Sequence, residues 1–277
     1  MPLSLTRTYH SWELQTRAFG AGTNHPYDIC PTGTRNPYTY IDLNLEDGQR
    51  VHFRRISKGT GYADAVFRHE ETSSEFYGAQ IAWNGDGWTL SFRDGRRFIF
   101  PEAYTANSFA QGAPTAMETA DGHRIQLKRN SQRDLQQMIS SSGQKISFKY
   151  DQLHRIVEAS DDAGNVRKYS YGSNGHLETV TDASHVLFRF EYERLLRARG
   201  YDPYLMTAIT DGNWKTLVRN SYSNGIMVSQ QTLADGAVYR YEYVVDQKYG
   251  IVKTIVTLPS GEKREFFFEH GITAKEK

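Results

Sequence analysis

One cysteine stands in 277 residues, so Cys30 has no intrachain partner and no disulfide framework holds the chain. A lone thiol also says nothing of compartment. Long apolar runs are missing: none approaches the ~20 residues a membrane helix requires, which predicts no membrane insertion. The opening residues lack the apolar core of a secretory signal. Neither sign of charge dominates, with 33 Lys and Arg against 32 Asp and Glu. A nucleic-acid binder would carry a basic excess, so none is expected as partner. Catalytic signatures are absent as well: there is no GxSxG, Walker loop, GxGxxG or HExxH. The nine histidines are scattered without paired metal spacing. No catalytic, cofactor or metal residue is therefore assigned, and the chain is expected not to be an enzyme.

What the chain has in quantity is aromatic residues and glycine: 18 Tyr, 14 Phe, 4 Trp and 23 Gly. That mixture suits many strands joined by tight turns. The length allows one large or two small domains. "MPLSLTRTYHSW" reads as strand material from its first residue, which raises the expectation that the chain is cut from something longer.

Internal repetition is the strongest signal. Gly122, Gly143 and Gly164 are spaced 21 residues apart, and Ser184-His185 falls where the next glycine would stand. After an insertion the phrase resumes at Gly212, Gly236 and Gly261, now 24 and 25 apart. Each glycine opens a strand with aromatic or apolar residues at every second position, as in Tyr169-Tyr171, Phe188-Phe190-Tyr192 and Tyr239-Tyr241-Tyr243. A polar turn follows, such as Asp151 to His154 or Gly172-Ser-Asn-Gly175, where Asn-Gly predicts a type I′ turn with two positive-φ residues. A return strand, such as 177–181, completes the unit. Leu177 and Val180 fall on opposite parities, so this strand either bulges or buries both faces. A lone hairpin does not stand in water, so neighbours must stack to bury its rings. The fold class is all-β: consecutive antiparallel hairpins in a long, curved, twisted sheet with little helix.

The chain is divided accordingly. Residues 1–103 lack the period but hold hairpins around Asp47-Gly48 and Asp94-Gly95. Residues 104–120 are small and polar and read as a loop. Residues 121–271 form the repeat array, and 272–277 read as a disordered tail. Within the array, Leu135, Met138 and Ile139 have helical spacing behind Ser131, but the repeat register favours a strand.

"GNVRKYSYGSNGHLETVTD" (164–182) resembles the YD repeat of Rhs proteins, toxin-complex C components and teneurins. The resemblance rests on Tyr150-Asp151, on Gly164, Tyr169, Tyr171, Gly175 and Leu177, and on unit ends such as Val180-Thr181-Asp182 and Ile209-Thr210-Asp211. Pro2 to Ser11 and Phe19-Gly20-Ala21-Gly22 are similar to the opening of an Rhs core, with Thr23 where a Trp is usual. The resemblance implies a β shell around a toxin or effector, with protein partners (cargo or further shell segments) and a secreted or cell-surface location. Fewer repeats than a family shell imply an arc or partial wrap. The Asp-rich self-cleaving region is absent, and Tyr201-Asp202-Pro203 is only an echo of it.

Several clusters read as structure. His69-Glu70-Glu71 is expected as a solvated turn, because strand neighbours point to opposite faces. Asp161-Asp162 with Asn165 lacks the EF-hand order. Arg54-Arg55, Arg93-Arg96-Arg97 and Arg194-Arg197-Arg199 lie among acids and read as solvated faces, and "GTGYADA" (59–65) as a loop. Strand aromatics serve packing first. A second reading has Tyr169, Tyr171, Tyr239 and Tyr241 stacking on carbohydrate. Finally, the strand near Glu262 to Glu269 is expected to present an open, Phe-rich edge and to favour self-association.

Overall fold

A computed structural model describes residues 3–103, 109–194, 204–223, 225–248, 250–269 and 272–276, with no side chains described at 109, 110 and 272–276. Among them the secondary structure is β throughout, apart from one 3₁₀ turn at Phe109–Gly112. The all-β expectation holds. Tyr201-Asp202-Pro203, Arg197, Arg199 and the start of the 104–120 segment lie outside the described residues.

The chain forms two compact units. The first consists chiefly of Asn24–Tyr150 with Ala159–Gly164. In it each strand pairs antiparallel with the next in sequence, from Cys30–Gly33 through Tyr40–Asn44 and Arg50–Arg55 to Lys145–Tyr150. The hairpins expected at Asp47-Gly48 and Asp94-Gly95 are Tyr40–Asn44 with Arg50–Arg55 and Gly87–Ser91 with Arg97–Pro101. Alternation sends Leu43, Phe53, Phe67, Ile81, Leu90 and Phe100 into the core, all essentially without solvent contact.

The segment read as a loop is partly strand. Ala116–Glu118 pairs with Arg97–Pro101 on one side and Arg124–Arg129 on the other, and Ala116 is fully buried. The ladder therefore runs unbroken past the composition change near residue 103.

The second unit holds Thr8–Thr23, Asp151–Glu158 and the chain from Asn165 onward. Its strands again pair in sequence order, from Val166–Tyr171 with Leu177–Thr181 to Lys263–Glu269 with Ile272–Glu276. Two expectations are corrected at its end. Ile272–Glu276 is a strand rather than a frayed tail, and it covers the side of Lys263–Glu269 expected to be an open edge. Backbone pairing needs no side-chain pattern, so a short polar run such as Ile-Thr-Ala-Lys-Glu gives little signal of it. At the start, the regular strand is confined to Thr8–Tyr9.

One turn geometry recurs in both units. A first residue donates its N–H to the carbonyl four residues on and accepts from the N–H three residues on, as at Leu45, Phe92, Thr119, Asp151, Gly172 and Asp211. The residue donating that third-place N–H is left-handed: Gly48, Gly95, Gly122, His154, Gly175 and Trp214. This is a three-residue loop closed by one left-handed residue. The type I′ expectation is thereby corrected, because Gly175 has φ 81° while Asn174 does not have positive φ. At Asp211 the left-handed place belongs to Trp214, two residues after Gly212. Gly212 answers a different need: a Cβ there would stand 2.0 Å from the Val186 carbonyl oxygen.

The return strands carry a recurrent bulge. Tyr171 faces Leu177 and Ser170 faces Thr179, so Glu178 is extra. Gln136, Thr207, Ser229 and Val252 are skipped in the same way. The extra residue changes the parity, so Leu177 and Val180 are both buried, at 1% and 3% exposure.

Candidate functional site

The repeat-motif residues form a chain of fasteners between hairpins. Tyr150 closes its strand and donates its phenol O–H to the carbonyl of Leu135 at 2.9 Å. In the second unit Tyr171 donates to Ile156 (2.5 Å), Tyr222 to Met206 (2.6 Å) and Tyr243 to Val228 (2.7 Å). Each acceptor lies within the first three residues of the return strand of the preceding hairpin, 15 or 16 residues back. Burial pushes the Tyr150, Tyr222 and Tyr243 hydroxyls above the ordinary tyrosine value, Tyr243 to about 12. These phenols are held neutral as donors.

The residue after Tyr150 explains the pairing with Asp. Asp151 Oδ1 accepts from the backbone of Leu153 and Arg155, and Oδ2 takes the Arg155 guanidinium at 2.7 Å. Those bonds hold the carboxyl below its usual range, although burial opposes them. Arg155 in turn lies over the Tyr171 ring, 4.2 Å from its centre. Asp182 caps the next turn with bonds from the Ser184 and His185 amides. Thr181 pairs with Val186 beside it, and Gly164, Gly236 and Gly261 occupy left-handed turn positions.

Thr8–Thr23 packs against these hairpins within the second unit. Ile156 donates its amide to Ala18, Ala21 donates to Gly175, Ser11 Oγ donates to Ile226, and the amide of Met206 donates to the Tyr9 hydroxyl. Phe19 is fully buried, its ring set edge-on to Tyr169 at 5.1 Å. Thus Tyr169 and Tyr171, candidates for ligand stacking, are engaged by Phe19 and Arg155. Tyr239 and Tyr241 are half-buried on their strand, and burial raises the Tyr241 hydroxyl.

Two residues in the first unit have roles that sequence reasoning did not find. Arg55, with a side chain only 7% exposed, donates to the carbonyls of Tyr38, Ser57, Lys58 and Gly61 and pairs with Asp64 at 3.1 Å. It shapes the 57–64 loop and is not a solvated hairpin charge. His69 is buried, bonded through Nδ1 to the His52 carbonyl and through Nε2 to Thr72 Oγ1 (2.6 Å), while Glu70 and Glu71 are exposed. The solvated-turn expectation therefore fails at His69, which continues the inward alternation of Ala65 and Phe67 and bonds through its amide to the Ala79 carbonyl. Among the described residues no group of three His, Cys, Asp or Glu is arranged to hold a metal.

No family model matches the chain. It is similar to the double-stranded DNA deaminase toxin A of Burkholderia cenocepacia (strain H111), with 24% identity over 184 residues, covering 64% of this chain and 13% of that protein. Among solved structures, it is similar to TcdB2-TccC3-TEV, at 14% identity and TM-score 0.36, covering 86% of this chain and 14% of that one. TcdB2-TccC3 without its hypervariable C-terminal region gives 12% identity and TM-score 0.37, over 99% of this chain and 15% of that one. The chain thus spans 13% to 15% of the length of these proteins.

Proposed function

We propose that the chain is a non-catalytic structural segment of a larger toxin-class protein of the Rhs/YD-repeat type, one that wraps or presents a protein cargo. The observation that carries this reading is the tyrosine-to-carbonyl fastener, repeated at Tyr150, Tyr171, Tyr222 and Tyr243. At these four places it joins a hairpin to the one before, which suits a strip lengthened unit by unit. The similarity to part of a toxin supports the same reading. Deamination is not carried over from that protein's name. A zinc deaminase site draws on at least two cysteines, and this chain has one. Carbohydrate stacking on Tyr169 and Tyr171 is not adopted, since both rings already have intrachain partners.

The test is protease protection in the whole reading frame that contains this chain. Neighbouring segments should resist cleavage in the intact protein and become cleavable when Tyr150, Tyr171 and Tyr243 are changed together to Phe. Equal cleavage with and without this segment overturns the reading.

A further inference from the structure

The first unit carries a cleft that neither the repeat nor the proposed shell role requires. It has a volume of about 340 Å³ and runs over the face of the paired strands Gln80–Trp83 and Gly87–Ser91. Ser91 stands opposite Gln80, and Thr89 opposite Ala82. These four residues share one face, while Ile81 and Leu90 on the other are fully buried. The cleft therefore sets the polar side chains of Gln80, Thr89 and Ser91 beside Ala82, with Trp83 and Phe92 also lining it. Thr89 Oγ1 accepts from Asn84 at 3.0 Å and keeps its own proton to donate. With its amide turned so that the oxygen accepts from the Arg68 guanidinium (2.9 Å), Gln80 is anchored at the cleft wall.

Arg93 is the charge at this floor. Its side chain also borders an adjoining open cleft of about 610 Å³ that contains Tyr77, 45% exposed. Among the described residues the Arg93 guanidinium makes no hydrogen bond or ion pair. Its neighbour Arg96 differs, being held by Glu75 at 2.9 Å and Asp94 at 2.6 Å. Gly78 makes room for the Arg93 stem: it has φ 77°, and a Cβ there would lie 2.8 Å from Arg93 Cδ. A shaped channel thus holds an uncommitted planar cation beside neutral hydroxyl and amide donors.

We propose that this cleft binds an acidic sugar, with the sugar carboxylate on Arg93 and its hydroxyls on Gln80, Thr89 and Ser91. A guanidinium fork matches a carboxylate in bidentate fashion. Polar side chains suit a ring bearing hydroxyls, Trp83 supplies an aromatic wall, and Tyr77 lies in the second cleft that Arg93 also borders. The volume lies within the range of small-ligand sites. An acidic peptide would use Arg93 but would leave the hydroxyl floor unmatched. This inference is independent of the shell reading, because it involves no fastener residue.

The experiment titrates the chain with D-glucuronate, glucose, acetate and a blocked acidic tetrapeptide, followed by NMR or calorimetry at low salt. Saturable glucuronate binding is expected, at least tenfold tighter than glucose or acetate. Arg93→Ala should abolish it, and Arg93→Lys should weaken it severalfold because ammonium lacks the fork. Gly78→Ala should weaken it by displacing the Arg93 stem. Should that variant unfold, Arg93→Ala decides, since Arg93 is exposed and its replacement is expected to leave the thermal melt unchanged. No saturation by glucuronate, full binding in Arg93→Ala, equal binding of acetate, or preference for the peptide each overturns the proposal.

Discussion

The phenol of Tyr171 donates to the carbonyl of Ile156 at 2.5 Å, across a sequence separation of 15 residues. Tyr243 repeats this geometry on Val228. Removing either hydroxyl leaves a carbonyl without its partner, at fully buried Ile156 or half-buried Val228, which costs about 1–2 kcal/mol. Tyr171→Phe and Tyr243→Phe should each lower the denaturant midpoint accordingly, and their double variant should be additive because the sites are distant. Tyr77→Phe, at an exposed ring, is the control and should change nothing. Equal melting of all variants would remove the fastener from the account.

Alkaline pH should loosen the second unit. Burial raises Tyr9 to about 12 and Tyr243 to about 12, above the unfolded value near 10. The unfolded chain loses these protons first, so stability is complete below pH 10 and falls as pH rises from 10 towards 12. Tyr9 alone should cost roughly 2–3 kcal/mol over that window. Urea midpoints measured alongside tyrosinate absorbance check this, and Tyr9→Phe should flatten the fall.

Acid acts on the first unit through His25. Burial lowers it to about 4, helped by Arg129 and opposed by Asp28. Its Nδ1 accepts from the Tyr27 amide, which fits a neutral ring. The folded value lies below the unfolded one, so the stability is present above pH 6.5 and is lost as pH falls from 6.5 towards 4. His25→Gln should lower stability at neutral pH but remove much of that acid slope, as read from thermal melts between pH 4 and 7.

Turn chemistry makes opposite predictions at matched positions. Arg133 is left-handed, with φ 75°, at the turn position where Gly48, Gly95, Gly122 and Gly175 stand in other hairpins. An L-residue there costs about 1–2 kcal/mol, against the 0.5–1 kcal/mol that glycine loses through chain freedom. Arg133→Gly should stabilise by up to about 1 kcal/mol, while Gly236→Ala should destabilise by about 1 kcal/mol. Melting temperatures moving in the same direction for both would contradict the turn assignment.

Gly20 tests the packing of Thr8–Thr23 on the hairpins. It has φ 88°, and a Cβ would stand 2.6 Å from the Gly175 carbonyl oxygen. Gly20→Ala should cost more than about 3 kcal/mol through strain and steric conflict. Hydrogen exchange at Ala21 and Ile156, whose amides bond across this contact, should rise with it. Unchanged protection there would refute the role.

Much of the fold was legible because it is local. The 21-residue spacing of Gly122, Gly143 and Gly164 marks left-handed turns that few other residues tolerate. The mismatched parity of Leu177 and Val180 announced a bulge, and Glu178 is the extra residue. Gly212 misled because a glycine serving close approach looks the same in sequence as one serving a turn. Ala116–Glu118 and Ile272–Glu276 were missed because short strands between paired neighbours need no distinctive pattern.

The sequence alone determined the all-β class, the hairpin unit and most turn positions, since alternation and left-handed φ are properties of a few adjacent residues. Tertiary structure alone decided which groups meet: the Tyr171 hydroxyl with the Ile156 carbonyl, Arg55 with four loop carbonyls, and Arg93 with Gln80, Thr89 and Ser91 along one cleft. Those encounters depend on strand stagger and on loops folding back, which bring together residues whose separation along the chain carries no trace of the contact.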